Sequence, residues 1–228
     1  MTIPQFYAPR KLSGEQLDDF LSRGWYRMHQ TIFTTNYIVD DELHYKVFWL
    51  RYNLQYYTHL KSSKTILNRN KQFSFVVKPF ELTDELENLY TLYRSMISFD
   101  GAPSVNHWLF YEGAFGDIYD SHLIEVRDKN TLIAAGIFDK GDKSIAGIMN
   151  FYHPDYKKYS LGKYLILLKI ELALQQGYKH YYPGYMVYGY PKFNYKLFVG
   201  EEFTEVYIPE LKGWFPFSKQ LLDVSVDL

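Results

Sequence analysis

The alternation of apolar and polar positions divides the chain into short helices and β-rich stretches. Residues 14–23 read as a helix: Ser13 and Gln16 have capping-box spacing, Leu17, Phe20 and Leu21 share a face, and Gly24 suits a stop. Between 25 and 53, aromatic and β-branched residues predict strands around an acidic turn at 39–42. The basic stretch 60–71 predicts a helix, and FSFVVKPF a strand. Thr83 caps a helix over 84–98 with an apolar stripe from Leu86, Leu89, Tyr90, Tyr93, Met96 and Ile97. A loop, DGAPSVN, follows, and then three strands at 122–127, 131–138 and 144–152, separated by Asp-, Asn- and Gly-containing turns. The last third predicts a long apolar helix over 161–176 stopped by Gly177, a strand at 178–187 and a turn into a short helix. Strands at 203–208 and 213–217 complete the pattern.

That order, βα, a three-stranded meander, then αβα, is the order of the acetyltransferase-like (GNAT) fold, an α+β architecture with a mixed central sheet flanked by helices. The expected organisation is an N-terminal region over 1–70, packed on a main domain over 71–228.

Composition narrows the chemistry. A chain of 228 residues with 47% hydrophobic and 22% charged residues is long enough for a sizeable core. The net charge of −1 confines any nucleic-acid contact to local patches. With no cysteine there is no disulfide, thiol nucleophile or Cys-ligated metal, and the seven histidines lack metal-ligand spacing, so no metal is expected. No apolar run reaches the ~18 residues of a membrane span and the N-terminus lacks a signal-peptide core, so a cytoplasmic protein without membrane contact is expected. The anomaly is aromatic: 23 Tyr and 17 Phe, most of them expected in the core and some available to stack on bases.

Chemistry-bearing residues concentrate after position 159. Ser160, Gly162 and Lys163 form a turn into the long helix, where backbone N–H groups make an anion site. Tyr164 stands where coenzyme-A-binding relatives of this fold carry a second glycine, which argues against acetyl-CoA. Lys192 and Lys196, four apart with Tyr195 between, share a helix face, and that arrangement favours an anionic partner. Glu171 sits in the apolar run LLKIELAL, as a structural partner or a base for an amine. Tyr185 and Tyr188, near the strand end, are candidates for stacking or for donating a hydrogen bond to a leaving hydroxyl. Lys61, Lys64 and Arg69 make a basic helix face.

These segments resemble a known family. YSLGKYLILLKIELALQQGYKHYYPGY is similar to the S-L-G turn, I-E-L-A helix and Y-x-G-Y strand of arginyl- and leucyl-tRNA–protein transferases. YPKFNYK resembles their C-P-K-M-x-Y-K signature, KSSKTILNRN their basic S-R-S-Q-R-R-V-L-x-R-N segment, and RGWYR their R-G-W-R-R stretch. The family's C-x-x-C cluster is absent, and Tyr190 and Phe193 replace its signature Cys and Met. The resemblance implies transfer of Arg or Leu from an aminoacyl-tRNA to the α-amine of an acceptor protein with an acidic N-terminus, without a cofactor. Lys61, Lys64, Arg69, Ser160, Gly162, Lys163, Lys192, Tyr195 and Lys196 would then hold tRNA or substrate, and Glu171, Tyr185 and Tyr188 would serve the chemistry. Rival readings are an acetyl-CoA-dependent N-acyltransferase and a non-catalytic binding module.

Overall fold

Ser13 and Gln16 do cap one another, side chain to backbone in both directions, and so fix the first helix. The computed structural model of the protein describes residues 4–40, 43–97, 101–111 and 117–226. The elements in chain order are β1 (Gln5–Tyr7), α1 (Gly14–Ser22), β2 (Tyr26–Met28), β3 (Thr31–Thr34), β4 (Tyr37–Asp40), β5 (Leu43–Asn53), α2 (Lys61–Asn70) and β6 (Ser74–Pro79). Next come α3 (Asp84–Met96), α4 (Val105–Phe110), β7 (Ser121–Asp128), β8 (Thr131–Lys140), β9 (Ser144–Tyr152), α5 (Leu161–Gln175) and β10 (His180–Val187). The chain ends with β11 (Thr204–Ile208), β12 (Gly213–Pro216) and α6 (Lys219–Val226). Asp41 and Glu42 of the expected acidic turn, and Ser98 at the end of the expected helix, lie outside the described residues.

The nine-stranded main sheet has the order β12-β11-β5-β10-β9-β8-β7-β6, with β4 paired to β5. From β6 to β9 it is an antiparallel meander, and β10 then returns parallel to β9 through the crossover helix α5. This is the α+β, acetyltransferase-like architecture that the pattern predicts. A three-stranded sheet, β1-β3-β2, covers part of one face. One face packs on α5 and α2 through Ile133, Phe138, Leu165 and Ile170, the other on α3 and α4 through Leu123, Ile137, Leu89 and Leu109. Successive strand residues alternate between these cores, as the pleat requires. Among the described residues no helix is long and apolar enough to cross a membrane.

Three features differ from the sequence expectations. β5, from the expected N-terminal region, is hydrogen-bonded between β11 and β10, so the main sheet draws strands from both sides of residue 70. Of the loop expected at 100–106, Asp100 lies outside the described residues and the remainder runs into α4, whose N-terminus Ser104 caps by accepting from His107 N–H, three residues on. The segment Pro191–Val199 is a 3₁₀ helix, as are Pro154–Tyr159 and two shorter turns.

Candidate functional site

The site begins where two parallel strands part. β9 and β10 pair only over Ser144–Ala146 and His180–Tyr182. Beyond that point β9 bulges against β8, between the pairs Ile137↔Met149 and Phe138↔Gly147, and β10 bulges between Tyr181 and Gly184 as it turns toward β5. Two glycines permit the divergence. A Cβ at Gly147 would lie 2.1 Å from the Tyr181 hydroxyl, and Gly184 has φ +92°. Tyr26, from the N-terminal sheet, wedges the opening: its buried hydroxyl is hydrogen-bonded to the carbonyl of Gly147 on β9 and lies 3.0 Å from that of Tyr182 on β10.

A cavity of about 320 Å³ opens on the N-terminal-sheet side of this split. Its walls are mainly Tyr26, Phe33, Trp49, Trp108, Ile148 and Tyr185. Trp49 organises the rings, with Tyr26, Phe33 and Tyr185 at centroid distances of 5.4, 5.5 and 5.3 Å and its indole N–H donated to the Thr35 carbonyl. Two cations line the cavity, Arg27 and Lys196, and no carboxylate does so among the described residues. Arg27 is occupied structurally: its guanidinium donates to Asp139 at 2.9 Å, to Ser121 at 2.8 Å and to the Leu109 carbonyl at 3.2 Å. Burial raises the Asp139 carboxyl, and Arg27 opposes that rise.

Lys196 is the chemically distinctive group here. It is 8% exposed, its ammonium donates to the Tyr185 carbonyl, and Nζ lies 5.4 Å from the Tyr185 ring centre. Burial lowers its pKa from 10.5 to about 7. Tyr185 moves the other way, its phenol raised by burial, so it stays protonated at neutral pH.

A second cavity, of about 380 Å³, lies at the N-terminus of α5 and is lined by Tyr93, Asn150, Tyr152, Tyr195 and the turn that carries Lys157, Ser160, Gly162 and Lys163. Ser160 adopts a left-handed conformation (φ 56°, ψ 43°) and its side chain makes no capping hydrogen bond to the first N–H groups of the 15-residue helix. Gly162 has ordinary space around it: an added Cβ would meet only the Tyr152 ring at 3.5 Å. Arg69, at the end of α2, donates to the Lys158 carbonyl at 3.0 Å and so brings the basic helix beside this turn.

The structure thus brings Ser160, Gly162, Lys163 and Tyr195 together at one cavity and places Tyr185 and Lys196 at the other. Lys61 and Lys64 are exposed on the outer face of α2 and line neither. The segment that carries Lys192 and Lys196 is a 3₁₀ helix, so the α-helical spacing expected for the pair does not hold; Lys196 turns inward, and the Lys192 side chain lies outside the described residues. Glu171 is not buried in the apolar run. Its side chain is 37% exposed and pairs with His59 just before α2, away from both cavities. Tyr188 donates to Asp223 of α6 at 2.7 Å and lines a separate cavity there. The sequence reading missed Tyr26, Trp49 and Asn150, since nothing in their spacing marks them; the R-G-W stretch alone pointed near Tyr26.

A splayed mixed sheet with a cationic helix N-terminus on one side and an apolar cavity on the other defines an acetyltransferase-like scaffold. The family described as "Arginine-tRNA-protein transferase, C terminus" matches residues 45–204, most of the chain, and the chain belongs to that family. An Aspartate/glutamate leucyltransferase of Shewanella oneidensis is 31% identical over 151 residues, 64% of this chain and 62% of the relative. One from Leptospira interrogans is 25% identical over 199 residues, 85% of this chain and 76% of the relative. The match to the Shewanella protein therefore spans less than two thirds of that relative's length. Among solved structures, a tandem GNAT protein from the clavulanic acid biosynthesis pathway is 14% identical with a TM-score of 0.45, over 68% of this chain and 49% of its own.

Proposed function

We propose that this protein is an aminoacyl-tRNA–protein transferase that moves leucine from charged tRNA to the N-terminal α-amine of an acceptor protein beginning with Asp or Glu. The observation that carries this reading is the pairing of an uncapped, lysine-flanked helix N-terminus with an aromatic cavity across one strand split. The first suits the phosphates of a tRNA 3′ end. The second suits an apolar aminoacyl side chain. An arginyl group there would bring a guanidinium beside Lys196 and Arg27 with no carboxylate among the described lining residues, and an uncompensated cation in such a site is costly. That contrast favours leucine over arginine.

In the reaction the acceptor nitrogen attacks the ester carbonyl, the new C–N bond forms, and the bond to the ribose oxygen breaks. The proton lost by the amine ends on the leaving hydroxyl. Lys196, held near neutrality, serves as base, and Tyr185, kept protonated, supplies a donor in the same cavity. Positioning of two bound reactants is worth ~7–11 kcal/mol, so no covalent intermediate is needed.

The test is transfer of radiolabelled amino acid from purified Leu-tRNA or Arg-tRNA to peptides beginning with Asp, Glu or Gly. The expected result is leucine on the acidic peptides only. Preferential transfer of arginine would overturn the choice of donor. Absence of any transfer, with thermal stabilisation by acetyl-CoA, would replace the whole reading by the acyl-CoA one.

A further inference from the structure

Lys169 has no place in the chemistry above, yet it is fully buried in the middle of α5. Its Nζ donates to the Ile137 carbonyl at 2.8 Å, to the Met149 carbonyl at 3.4 Å and to Asn150 Oδ1 at 2.9 Å. The first two are backbone acceptors at the β9 bulge. The third has a directional consequence. In its protonated form, below about pH 7, Lys169 is an ammonium that offers only donors, so the amide of Asn150 turns its oxygen toward Lys169 and its NH₂ the other way. Gly136 leaves room for this arrangement, since an added Cβ there would sit 3.1 Å from Asn150 Oδ1 and 3.2 Å from Lys169 Cε. Asn150 also lines the cavity at the α5 N-terminus, together with the rings of Tyr93 and Tyr152, which meet at a centroid distance of 5.4 Å, and with Lys157 and Lys163. The cavity therefore combines flat aromatic surfaces, two cations and an amide whose oxygen is already engaged.

We propose that Asn150, oriented by Lys169, is a specificity-determining residue that donates its amide N–H to a ring-nitrogen acceptor of the terminal adenine of the tRNA. This rests on the tRNA reading above and deepens it. The base would stack on tyrosine while its phosphates meet the lysines. Lys169 is the positioning residue: it consumes the acceptor end of the amide, so the face turned to the ligand only donates. A guanine in the same place would turn its N1–H donor toward the amide N–H, where adenine offers N1 as an acceptor, and an unmatched buried donor is costly.

The experiment uses the full chain and two uncharged acceptor-stem RNA hairpins that differ only in ending with CCA or CCG, with affinity read by fluorescence anisotropy below pH ~7, where Lys169 is protonated. The wild-type protein is expected to prefer CCA by about tenfold. Asn150→Asp keeps an oxygen toward Lys169 but replaces the NH₂ with a second oxygen. Its added charge weakens both RNAs alike, so the CCA-to-CCG ratio isolates base reading, and that ratio is expected to fall to about one or below, because the new oxygen accepts from guanine N1–H and not from adenine N1. Thermal unfolding of the variant is expected to stay at or above the wild-type midpoint, because Lys169 gains a counter-ion. Lys169→Met should lower the ratio by freeing the amide to rotate. An unchanged ratio in Asn150→Asp overturns the assignment while leaving tRNA binding and transfer intact. Failure of the wild-type protein to bind either RNA overturns both the assignment and the reading it rests on.

Discussion

Two buried lysines, Lys169 and Lys196, should make stability rise with pH well into the alkaline range. Burial holds Lys169 and Lys196 at about 7, against 10.5 for an exposed lysine. Below 7 both folded and unfolded chains carry the protons, and the native state bears the full cost of two desolvated ammonium groups. Between about 7 and 10.5 the unfolded chain binds protons that the native chain has released, so unfolding becomes less favourable as pH rises. Integrating that difference from pH ~7 to ~9.5 gives about 3 kcal/mol for each lysine. His180 does not contribute in this window, because burial holds it at about 4 and its change is complete below 7. The rise must end near 10, where tyrosines in the unfolded chain begin to ionise while the buried Tyr26, Tyr52 and Tyr181 keep their protons. Lys169→Met removes one titrating group and keeps the apolar stem. Urea unfolding of both proteins across this pH range measures the slope directly. The variant is expected to lose about half of the wild-type rise, roughly 3 kcal/mol, whatever its absolute stability. An equal rise in the two proteins would show that Lys169 is charged throughout and would refute the argument.

Lys196→Met should flatten the rising limb of kcat/KM near pH 7 and cut transfer by about 10²–10⁴-fold, measured as a pH–rate profile; an unchanged limb would remove Lys196 from the role of base. Arg27→Met leaves Asp139 buried without its guanidinium partner and is expected to cost about 3–5 kcal/mol by denaturant titration. Gly147→Ala sets a Cβ 2.1 Å from the Tyr181 hydroxyl, and that ring is already stacked on Tyr52 at 5.4 Å. A loss of about 1–3 kcal/mol in the same titration is expected, with transfer reduced because the strand split is distorted.

How much of this was legible before the structure depended on how local the causes were. Capping of α1 by Ser13 and Gln16, the turns of the meander and the apolar α5 are decided by residues a few positions apart, and they stand where the pattern puts them. The C-terminal helix α6 and the short α4 escaped because neither carries enough periodic apolar positions to stand out. Of the site, the turn into α5 was readable, since a glycine, lysines and a following helix are contiguous. Tyr26, Trp49 and Asn150 were not, because each reaches the split from a different strand. Lys196 was read as half of an exposed basic pair on α-helical spacing. The chain instead forms a 3₁₀ helix after Pro191, and that one change of helical period turns Lys196 inward against Tyr185.

The same tightening links the two cavities. Tyr195 and Lys196 are adjacent, yet Tyr195 lines the cavity at the α5 N-terminus and Lys196 the aromatic one. Tyr52 anchors this segment by donating to the Lys196 carbonyl at 2.7 Å, and Tyr52 belongs to β5, the strand that joins the main sheet from the N-terminal part of the chain. β5 also pairs with β10 beyond its bulge, so it holds one side of the split while its tyrosine holds the peptide that bridges both cavities. The N-terminal part of the chain is therefore a structural component of the site: Tyr26 wedges the strands apart, and β5 fixes the lysine that faces the opening.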